Sequence, residues 1–233
     1  MTLRHLVKAA WTTGSICAPT IAEAALGRLN EAVCDERLDR WSKQLLEQAG
    51  IELDVRGKQH AESQESFIVM SNHQSLYDIP VIFQALGRRI RMVTKKELFR
   101  IPIWGRAMRL AGFIEVDRQD RERAIQSMRG AGERIREGTD VWISPEGTRS
   151  RDGSLGPFRK GGFHLALDTG ARILPVTIEG TRHVLPAGGR RVHPGARVTV
   201  TVHPPIDAKS FGASRIDALM EAVKSAIAAP LTR

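Results

Sequence analysis

The sequence contains few cysteines and few aromatic residues, and both shortages narrow the range of functions. Its 233 residues include two cysteines, Cys17 and Cys34, which form no C-x-x-C pair. This argues against a disulfide framework and against a zinc site, and it fits a reducing compartment. Aromatic residues make up 5% of the chain, with a single tyrosine. The sequence therefore lacks the stacking surface with which many proteins read single-stranded nucleic acid.

The chain also lacks a long apolar run. Residues 9–22 form the longest uncharged stretch near the N-terminus, but they fall short of the ~20 apolar residues that a membrane-spanning helix needs. The stretch also contains Gly14 and Pro19. No signal peptide is visible. We therefore expect no transmembrane span, although a chain of this kind can still lie on a membrane surface.

Acidic residues are too few to balance the basic ones. The chain has 35 Lys and Arg against 26 Asp and Glu, a net charge of +9 and a pI of about 10.2. Within residues 88–136 there are 14 basic and 6 acidic residues. Such a block predicts an anionic partner, which is a nucleic acid, a phosphorylated substrate or an anionic membrane surface. The alternative is a solvated basic face.

Residues 51–233 alternate between apolar runs of strand length and segments of helix length. This alternation predicts an α/β domain with a central, mostly parallel sheet flanked by helices. The predicted strands are 51–55, 67–71, 90–94, 113–116, 141–144, 173–178 and 197–203. The predicted helices cover about 79–87, 96–110, 119–136, 161–169 and 210–228. The runs FIVMS and VWIS lack polar alternation, as expected of strands that are buried on both faces.

Residues 1–50 are predicted to be a separate, helical N-terminal segment. One helical face carries four large apolar residues, Leu38, Trp41, Leu45 and Leu46. Residues 3–11 repeat the apolar spacing with basic residues between. A basic amphipathic helix with a tryptophan suits a membrane interface. The alternative is a helix that packs on the main domain, and the sequence leaves both open.

Three polar stretches directly follow predicted central strands. They are NHQSLYD (72–78), VDRQDR (116–121) and PEGTRS (145–150). Because functional loops of parallel sheets lie beyond the carboxyl ends of the strands, we expect the three to converge at one edge of the sheet.

His73 and Asp78 are the best candidates for acid–base chemistry. If Asp78 accepts a hydrogen bond from one ring nitrogen, the other nitrogen is left as an acceptor facing a substrate, which a general base requires. The alternative is that Asp78 caps the helix that Pro80 helps to begin, beside a histidine that merely pairs with it. No group of residues has the spacing of a metal site.

The PEGTRS stretch predicts an anion-binding loop. Arg149 matches a phosphate bidentately and stays charged. Gly147 permits a tight turn, Thr148 presents a hydroxyl, and Glu146 can orient a substrate hydroxyl or hold Arg149. Taken alone, the tetrapeptide also suits an ordinary turn.

Lys95, Lys96 and Arg118 add positive charge beside the apolar strip of residues 98–104. Cations next to an apolar surface suit a substrate with a phosphate head and a hydrocarbon tail. They are a poor match for nucleic-acid readout, which relies on stacking aromatic residues.

These stretches together resemble the glycerolipid acyltransferases, the family of the lysophosphatidate (1-acylglycerol-3-phosphate) acyltransferases. Residues 72–78 resemble the N-H-x4-D motif of that family, residues 95–118 its second block, PEGTRS its third and residues 173–176 its fourth. The four occur in the order of the family over about residues 66–178. Glu115 departs from the pattern, because the family usually has an aromatic or apolar residue there.

The resemblance implies a glycerol-3-phosphate acyltransferase-like fold for residues 51–233. It implies transfer of a fatty acyl group from acyl-CoA or acyl-acyl carrier protein to the sn-2 hydroxyl of lysophosphatidate, giving phosphatidate. His73 would be the general base and Asp78 the residue that orients it, with no cofactor and no metal. The expected substrate-binding residues are Asn72, Lys95, Lys96, Arg118, Glu146, Gly147, Thr148 and Arg149.

The resemblance also implies membrane association through residues 1–50. The expected location is the cytoplasmic face of a membrane, as a peripheral or monotopic protein. The expected partners are a lysophospholipid, an acyl thioester, the membrane surface and acyl carrier protein, without nucleic acid. The alternatives are an acyltransferase for another lysolipid such as a lyso-ornithine lipid, a hydrolase that releases fatty acid, a non-catalytic module that binds anionic lipid, and a basic nucleic-acid-binding domain.

Overall fold

The computed structural model describes residues 3–117 and 119–231. The strands are β1 (Glu52–Arg56), β2 (Ile68–Ser71), β3 (Ile90–Lys95), β4 (Ile114–Val116), β5 (Asp140–Ile143), β6 (Ile173–Glu179) and β7 (Arg197–Val202). The α-helices are α1 (Leu3–Ala25), α2 (Glu31–Gln48), α3 (Asp78–Leu86), α4 (Trp104–Leu110), α5 (Arg121–Arg136), α6 (Gly161–Thr169), α7 (Thr181–Val184) and α8 (Ile216–Ala228). Short 3-10 segments cover Lys58–Ala61, Lys96–Arg100, Ala208–Ser210 and Ala213–Arg215.

The strands form one sheet in the order β1-β7-β6-β2-β5-β3-β4. Neighbours from β6 to β4 are parallel, and β1 is parallel to β7. The pairing of β6 with β7 is antiparallel. The predicted mostly parallel sheet is therefore confirmed, and β1 and β7 run opposite to the other five strands.

β2 lies in the middle of the sheet and is buried on both faces. Phe67 and Val69 belong to the apolar cluster that also contains the core residues of α2 and α3. Ile68 and Met70 belong to the cluster on the other face, with α6 and α8. Because both sides of the strand meet helices, the sequence of β2 shows no polar alternation.

The N-terminal helices form an antiparallel pair that packs on the domain. Asn30 begins α2, because its side-chain oxygen accepts a hydrogen bond from the Val33 amide at 3.0 Å. Trp41 Nε1 of α2 donates to Thr13 Oγ1 of α1 at 3.1 Å. The predicted apolar face of α2 is buried against α3, so the alternative of a helix packed on the main domain holds for α2.

The first helix is covered only in part. It packs against α2 and α4, but Val7 is 60% exposed and Trp11 is 76% exposed. Among the helices of residues 3–117 and 119–231, none combines the length and the apolarity needed to cross a bilayer. Membrane association of this segment stays a prediction.

Two predicted helices differ from the structure. The predicted helix 96–110 is broken into a 3-10 segment and α4, because Pro102 disfavours helical geometry at the residue before it. The predicted helix 210–228 begins at Ile216, after Gly212 with a φ of +71°. The single turn of α7 was not predicted.

Candidate active site

Two of the three polar loops meet at the carboxyl edge of the sheet. β2 and β5 are neighbours, and their loops are joined because the Ser150 amide donates to the His73 carbonyl at 2.7 Å. The His73 amide in turn donates to Glu146 Oε1 at 3.0 Å. The predicted convergence of these two loops is confirmed. Arg118, the cation expected from the third loop, lies outside the described residues.

His73 and Asp78 are in direct contact. His73 Nδ1 lies 2.7 Å from Asp78 Oδ2, and the Asp78 side chain is fully buried. The amides of Gln74 and Ser75 donate to the same oxygen at 2.6 and 2.8 Å. The Thr181 hydroxyl of α7 donates to Oδ1 at 2.5 Å. Donors at both oxygens hold the carboxylate in one orientation.

This geometry differs from helix capping. A capping side chain accepts from amides of the first helical turn that follows it, whereas the backbone amides on Asp78 come from residues 74 and 75, which precede it. The carboxylate therefore shapes the loop and holds the His73 ring. The alternative of a simple cap at Asp78 is not what the structure shows.

The His73 ring is held by Trp142 as well as by Asp78, and part of the ring remains open to a cavity. It packs edge-on against Trp142, with 6.1 Å between ring centroids and an interplanar angle of 87°. Trp142 is itself held by a hydrogen bond from Nε1 to Ser71 Oγ at 2.9 Å. The His73 side chain keeps 19% exposure and lines a cavity. Because Asp78 accepts from Nδ1–H, Nε2 is the ring nitrogen with a free lone pair.

Glu146 has a different position from the one expected. Its side chain is buried, and its two oxygens accept hydrogen bonds from the amides of His73 and Gly156, the latter at 2.9 Å. Burial raises the pKa of Glu146, while the two amides act in the opposite direction. The carboxylate neither lines the cavity nor pairs with Arg149. It connects the loop after β2 with the chain that follows PEGTRS.

Asn72 also has a structural role in the site. Its side-chain nitrogen donates to the Ile178 carbonyl, and its side-chain oxygen accepts from the Ile178 amide, both at 2.8 Å. The residue is buried and does not line the cavity. Expected as a substrate-binding residue, Asn72 instead ties the His73 loop to β6.

The cations expected at the site separate into two groups. Lys95 and Arg149 line the cavity with Gly147 and Thr148, and Gly147 makes the turn with a φ of +71°. Lys96 does not line the cavity, because its Nζ pairs with Asp117 Oδ2 at 2.6 Å. In the described ranges no acidic side chain pairs with Lys95 or Arg149, so both are available to an anion.

The cavity has a volume of about 680 Å³ and extends away from His73 under the N-terminal helices. Its apolar wall includes Ile16 of α1, Leu38 and Trp41 of α2, Trp104 and Met108 of α4, and Phe113. Leu98 also lines it, whereas Ile101 and Ile103 of the expected apolar strip are exposed and do not. The site therefore combines His73, cations without acidic partners among the described residues, and an apolar cavity.

Three further residues of the site were not found from the sequence. Arg159 lines the cavity and, like Arg149, has no acidic partner within residues 3–117 and 119–231; its amide donates to the Pro145 carbonyl at 2.9 Å. Ser144 also lines the cavity, and its buried hydroxyl has no hydrogen-bond partner among the described residues. Thr181 is the third, and only its contact with Asp78 reveals it.

Glu115, which departs from the family pattern, lies outside this arrangement. Its carboxylate pairs with Arg109 at 3.0 Å, and the side chain is 40% exposed. Glu115 does not line the cavity.

Known proteins resemble this chain in sequence and in fold. Residues 52–179, more than half of the chain, match the family model described as Acyltransferase. The chain is 34% identical over 176 residues to the 1-acyl-sn-glycerol-3-phosphate acyltransferase BAT2, chloroplastic, of Brassica napus, covering 75% of this chain and 49% of that protein. It is 32% identical over 176 residues to the 1-acyl-sn-glycerol-3-phosphate acyltransferase alpha of Mus musculus, covering 75% and 62%.

A solved structure extends the likeness to the whole fold. The 1-acyl-sn-glycerophosphate (LPA) acyltransferase PlsC from Thermotoga maritima superposes with a TM-score of 0.79 at 28% identity, covering 99% of this chain and 98% of that one. The expected acyltransferase fold with N-terminal helices is thereby confirmed.

The extent of the match differs between relatives. The chain spans about half the length of the plant relatives that it matches. The matched residues 52–179 nevertheless contain His73, Asp78 and the PEGTRS loop. With more than half of its length in the family model and the fold of PlsC, the chain belongs to the acyltransferase family.

Proposed function

We propose that this protein transfers a fatty acyl group from an acyl thioester to the sn-2 hydroxyl of 1-acylglycerol-3-phosphate, giving phosphatidate. The observation that carries the proposal is the 2.7 Å contact between His73 Nδ1 and Asp78 Oδ2 in a ring that lines the cavity. The names of the curated relatives and of the solved structure support the same substrate.

In the proposed reaction, His73 carries the proton from the acceptor hydroxyl to the leaving sulfur. The acceptor hydroxyl gives its proton to His73 Nε2 while its oxygen attacks the thioester carbonyl carbon. Asp78 holds the ring and stabilises the imidazolium that forms. When the tetrahedral intermediate collapses, the C–S bond breaks and the sulfur leaves with the proton from Nε2. General-base assistance of this kind contributes ~10²–10⁴ in rate. No serine or cysteine nucleophile is needed, because the acceptor hydroxyl attacks directly.

The acceptor phosphate is best placed against the free cations. Arg149 and Lys95 line the cavity at the carboxyl edge of the sheet, on the same side as His73. Arginine offers two parallel donors to a phosphate, and lysine adds a point charge. Thr148, which is exposed and lines the cavity, is in reach of the glycerol. A lysolipid without a phosphate would leave these cations unpaired, so we favour lysophosphatidate over a lyso-ornithine lipid.

The apolar end of the cavity suits a hydrocarbon chain. Its wall is built by side chains from α1, α2 and α4, and burial of each methylene there contributes ~0.8 kcal/mol. The Ser144 hydroxyl, which has no hydrogen-bond partner among the described residues, also lines the cavity and can donate to a polar atom of the substrate. The donor is an acyl-CoA or an acyl-acyl carrier protein. The protein works at the cytoplasmic face of the membrane, as a peripheral or monotopic protein without a cofactor.

The reaction is tested with a labelled acyl-CoA, a labelled acyl-acyl carrier protein and a panel of lysolipids with and without a phosphate. We expect labelled phosphatidate from lysophosphatidate. Free fatty acid as the main product would instead make the protein a hydrolase, and absence of any product would favour a lipid-binding module.

The role of His73 is tested by His73→Ala, which should lower turnover by at least about 10²-fold. The matched control is His164→Ala, because His164 is exposed on α6 and does not line the cavity. The control should keep wild-type turnover. A His73→Ala variant with wild-type turnover would refute the general-base role.

A further inference from the structure

The turn before α4 is strained. Ile103 has a φ of +66° and a ψ of −60°, and it is the only non-glycine residue with a positive φ in the described part of the chain. The Trp104 amide donates to the Pro102 carbonyl at 2.7 Å, which closes a three-residue γ-turn centred on Ile103. A β-branched residue is a genuine outlier in this region.

The surrounding backbone holds the strained turn in place. The Gly105 amide donates to the Ile101 carbonyl at 2.8 Å. The Gly105 backbone also packs against Phe99 so closely that a Cβ at position 105 would lie 2.1 Å from the Phe99 carbonyl oxygen. Strain of this kind persists where neighbouring structure over-determines it, and it clusters at functional positions.

The turn directs neighbouring side chains to opposite sides. Trp104 lines the cavity, whereas the Ile103 side chain is 59% exposed. Arg106 and Leu110 are four residues apart on α4 and share one face. Ile103 directly precedes the helix, and the three exposed residues together are called the exposed stripe. Ala107, Met108 and Ala111 face the cavity instead. We call the exposed stripe with its neighbours Arg100 and Ile101 the α4 surface.

The α4 surface combines apolar side chains with unpaired cations. Ile101 is 38% and Leu110 is 37% exposed. Arg100 and Arg106 are exposed, and neither pairs with an acidic side chain within residues 3–117 and 119–231. Isolated exposed apolar residues are ordinary, but a strained isoleucine that faces solvent between two free arginines is not explained by folding. The combination is typical of a surface that meets anionic lipid.

We propose that the α4 surface is a lipid-contacting element, in which Ile103 and Leu110 enter the headgroup region of an anionic bilayer and Arg100 and Arg106 contact lipid phosphates. This inference rests on the proposed function, because the acceptor is a membrane lipid. It adds a contact outside the N-terminal helices. α1 packs against α4, and both helices line the cavity, so a bilayer on the α4 surface lies directly beside the substrate cavity.

The decisive experiment uses Ile103→Gly in the full-length protein. Glycine adopts a positive φ without strain, so the variant should unfold at the wild-type temperature or higher. Its partition to vesicles of phosphatidylcholine and phosphatidylglycerol should nevertheless fall about tenfold, as expected when about half of one isoleucine leaves the lipid. If Ile103 served only to pack the fold, its loss would lower the melting temperature. Weaker vesicle binding without a lower melting temperature therefore indicates a lipid contact.

Two further variants complete the test. Ile125→Ala removes another exposed isoleucine, 46% accessible, from α5 and should leave vesicle binding unchanged. Arg106→Gln should weaken binding to the anionic vesicles and leave binding to vesicles of pure phosphatidylcholine unchanged. Equal vesicle binding by Ile103→Gly and wild type would overturn the inference. A dimer in wild type that Ile103→Gly converts to a monomer would also overturn it, because the surface would then contact a second copy of the chain.

Vesicle sedimentation without substrate does not depend on the reaction. Loss of binding in Ile103→Gly therefore supports the surface even where no acyl transfer is found, and the proposed function alone would then fail. Where transfer is found, Ile103→Gly should keep wild-type turnover on a short-chain lysophosphatidate dispersed as monomers. It should lose turnover on lysophosphatidate embedded in vesicles.

Discussion

Replacing Asp78 by asparagine separates the charge of the carboxylate from its hydrogen bonds. The asparagine oxygen can accept from His73 Nδ1 and from the amides of Gln74 and Ser75, as Oδ2 does. Its amide nitrogen can donate to the Thr181 hydroxyl, which turns to accept. Because the size and the hydrogen bonds are kept, we expect the fold to be retained and the melting temperature to change by only a few degrees.

The loss falls on the imidazolium in the transition state. With 2.7 Å between His73 Nδ1 and Asp78 Oδ2, Coulomb's law at an effective dielectric constant of about 20 gives about 6 kcal/mol for two full charges. If about half of a proton charge reaches the ring in the transition state, the loss is about 3 kcal/mol. We therefore expect kcat to fall by ~10²-fold, within the range of general-base assistance.

The assay combines steady-state transfer from labelled acyl-CoA to lysophosphatidate with a thermal melt of the same preparation. Thr181→Val is the matched control, because it removes the donor to Oδ1 and keeps the charge. This hydrogen bond to the charged carboxylate is present in the ground state and in the transition state alike. The control should therefore lower the free energy of unfolding by ~1.5–3 kcal/mol but lower kcat much less than Asp78→Asn does. A folded Asp78→Asn variant that keeps more than a tenth of wild-type kcat would refute the reasoning.

Three further predictions follow from the site and its frame. Arg149→Ala should raise the KM for lysophosphatidate ~10–100-fold, because a charge-assisted hydrogen bond contributes ~1.5–3 kcal/mol. Steady-state kinetics measure this change, and an equal rise in the KM for the acyl donor would argue against a phosphate contact. Burial raises the pKa of Glu146 above its ordinary value of 4.5, so the native state binds the proton more tightly and the free energy of unfolding should fall as pH rises from about 4.5 through the raised pKa. Denaturant titrations across this pH range should show that Glu146→Gln removes this contribution to the pH dependence of the free energy of unfolding. The same pH dependence in Glu146→Gln and wild type would contradict the prediction. Deleting residues 1–48 should lower the melting temperature or cause aggregation. The leucines of α2 are buried in the core, and burial of each contributes ~1.5–3 kcal/mol. A truncated chain with the melting temperature of residues 1–233 would contradict that packing.

Local sequence was sufficient where the structure depends on neighbours in the chain. His73 and Asp78 are five residues apart across a strand end and a helix start, so their contact follows from local geometry. The strands were found because β-branched and apolar runs of five or six residues carry their own signal. Pro102 is equally visible in the sequence, and a proline inside a predicted helix indicates a break such as the one between the 3-10 segment and α4.

Side-chain direction in the loops was not predictable from the same information. Glu146 and Asn72 are polar residues within motifs, and the family resemblance implies substrate contacts for both. Their hydrogen-bond partners are backbone groups of Gly156, His73 and Ile178, which only the folded sheet brings together. The contribution of α1 and α2 to the cavity was missed for a similar reason, because an apolar helix face does not identify what it will cover.

The hydrogen bonds that join the His73 loop to the PEGTRS loop have a consequence for regiochemistry. The His73 backbone donates to Glu146 and accepts from Ser150, which flank Arg149 in the chain. If His73 is the base and Arg149 anchors the headgroup, as we propose, both belong to loops that these hydrogen bonds hold together. A glycerol anchored at Arg149 by its phosphate would then bring only the hydroxyl at the matching distance to the His73 imidazole. The joined backbones, rather than a side chain at the other carbons, would select the position on the glycerol.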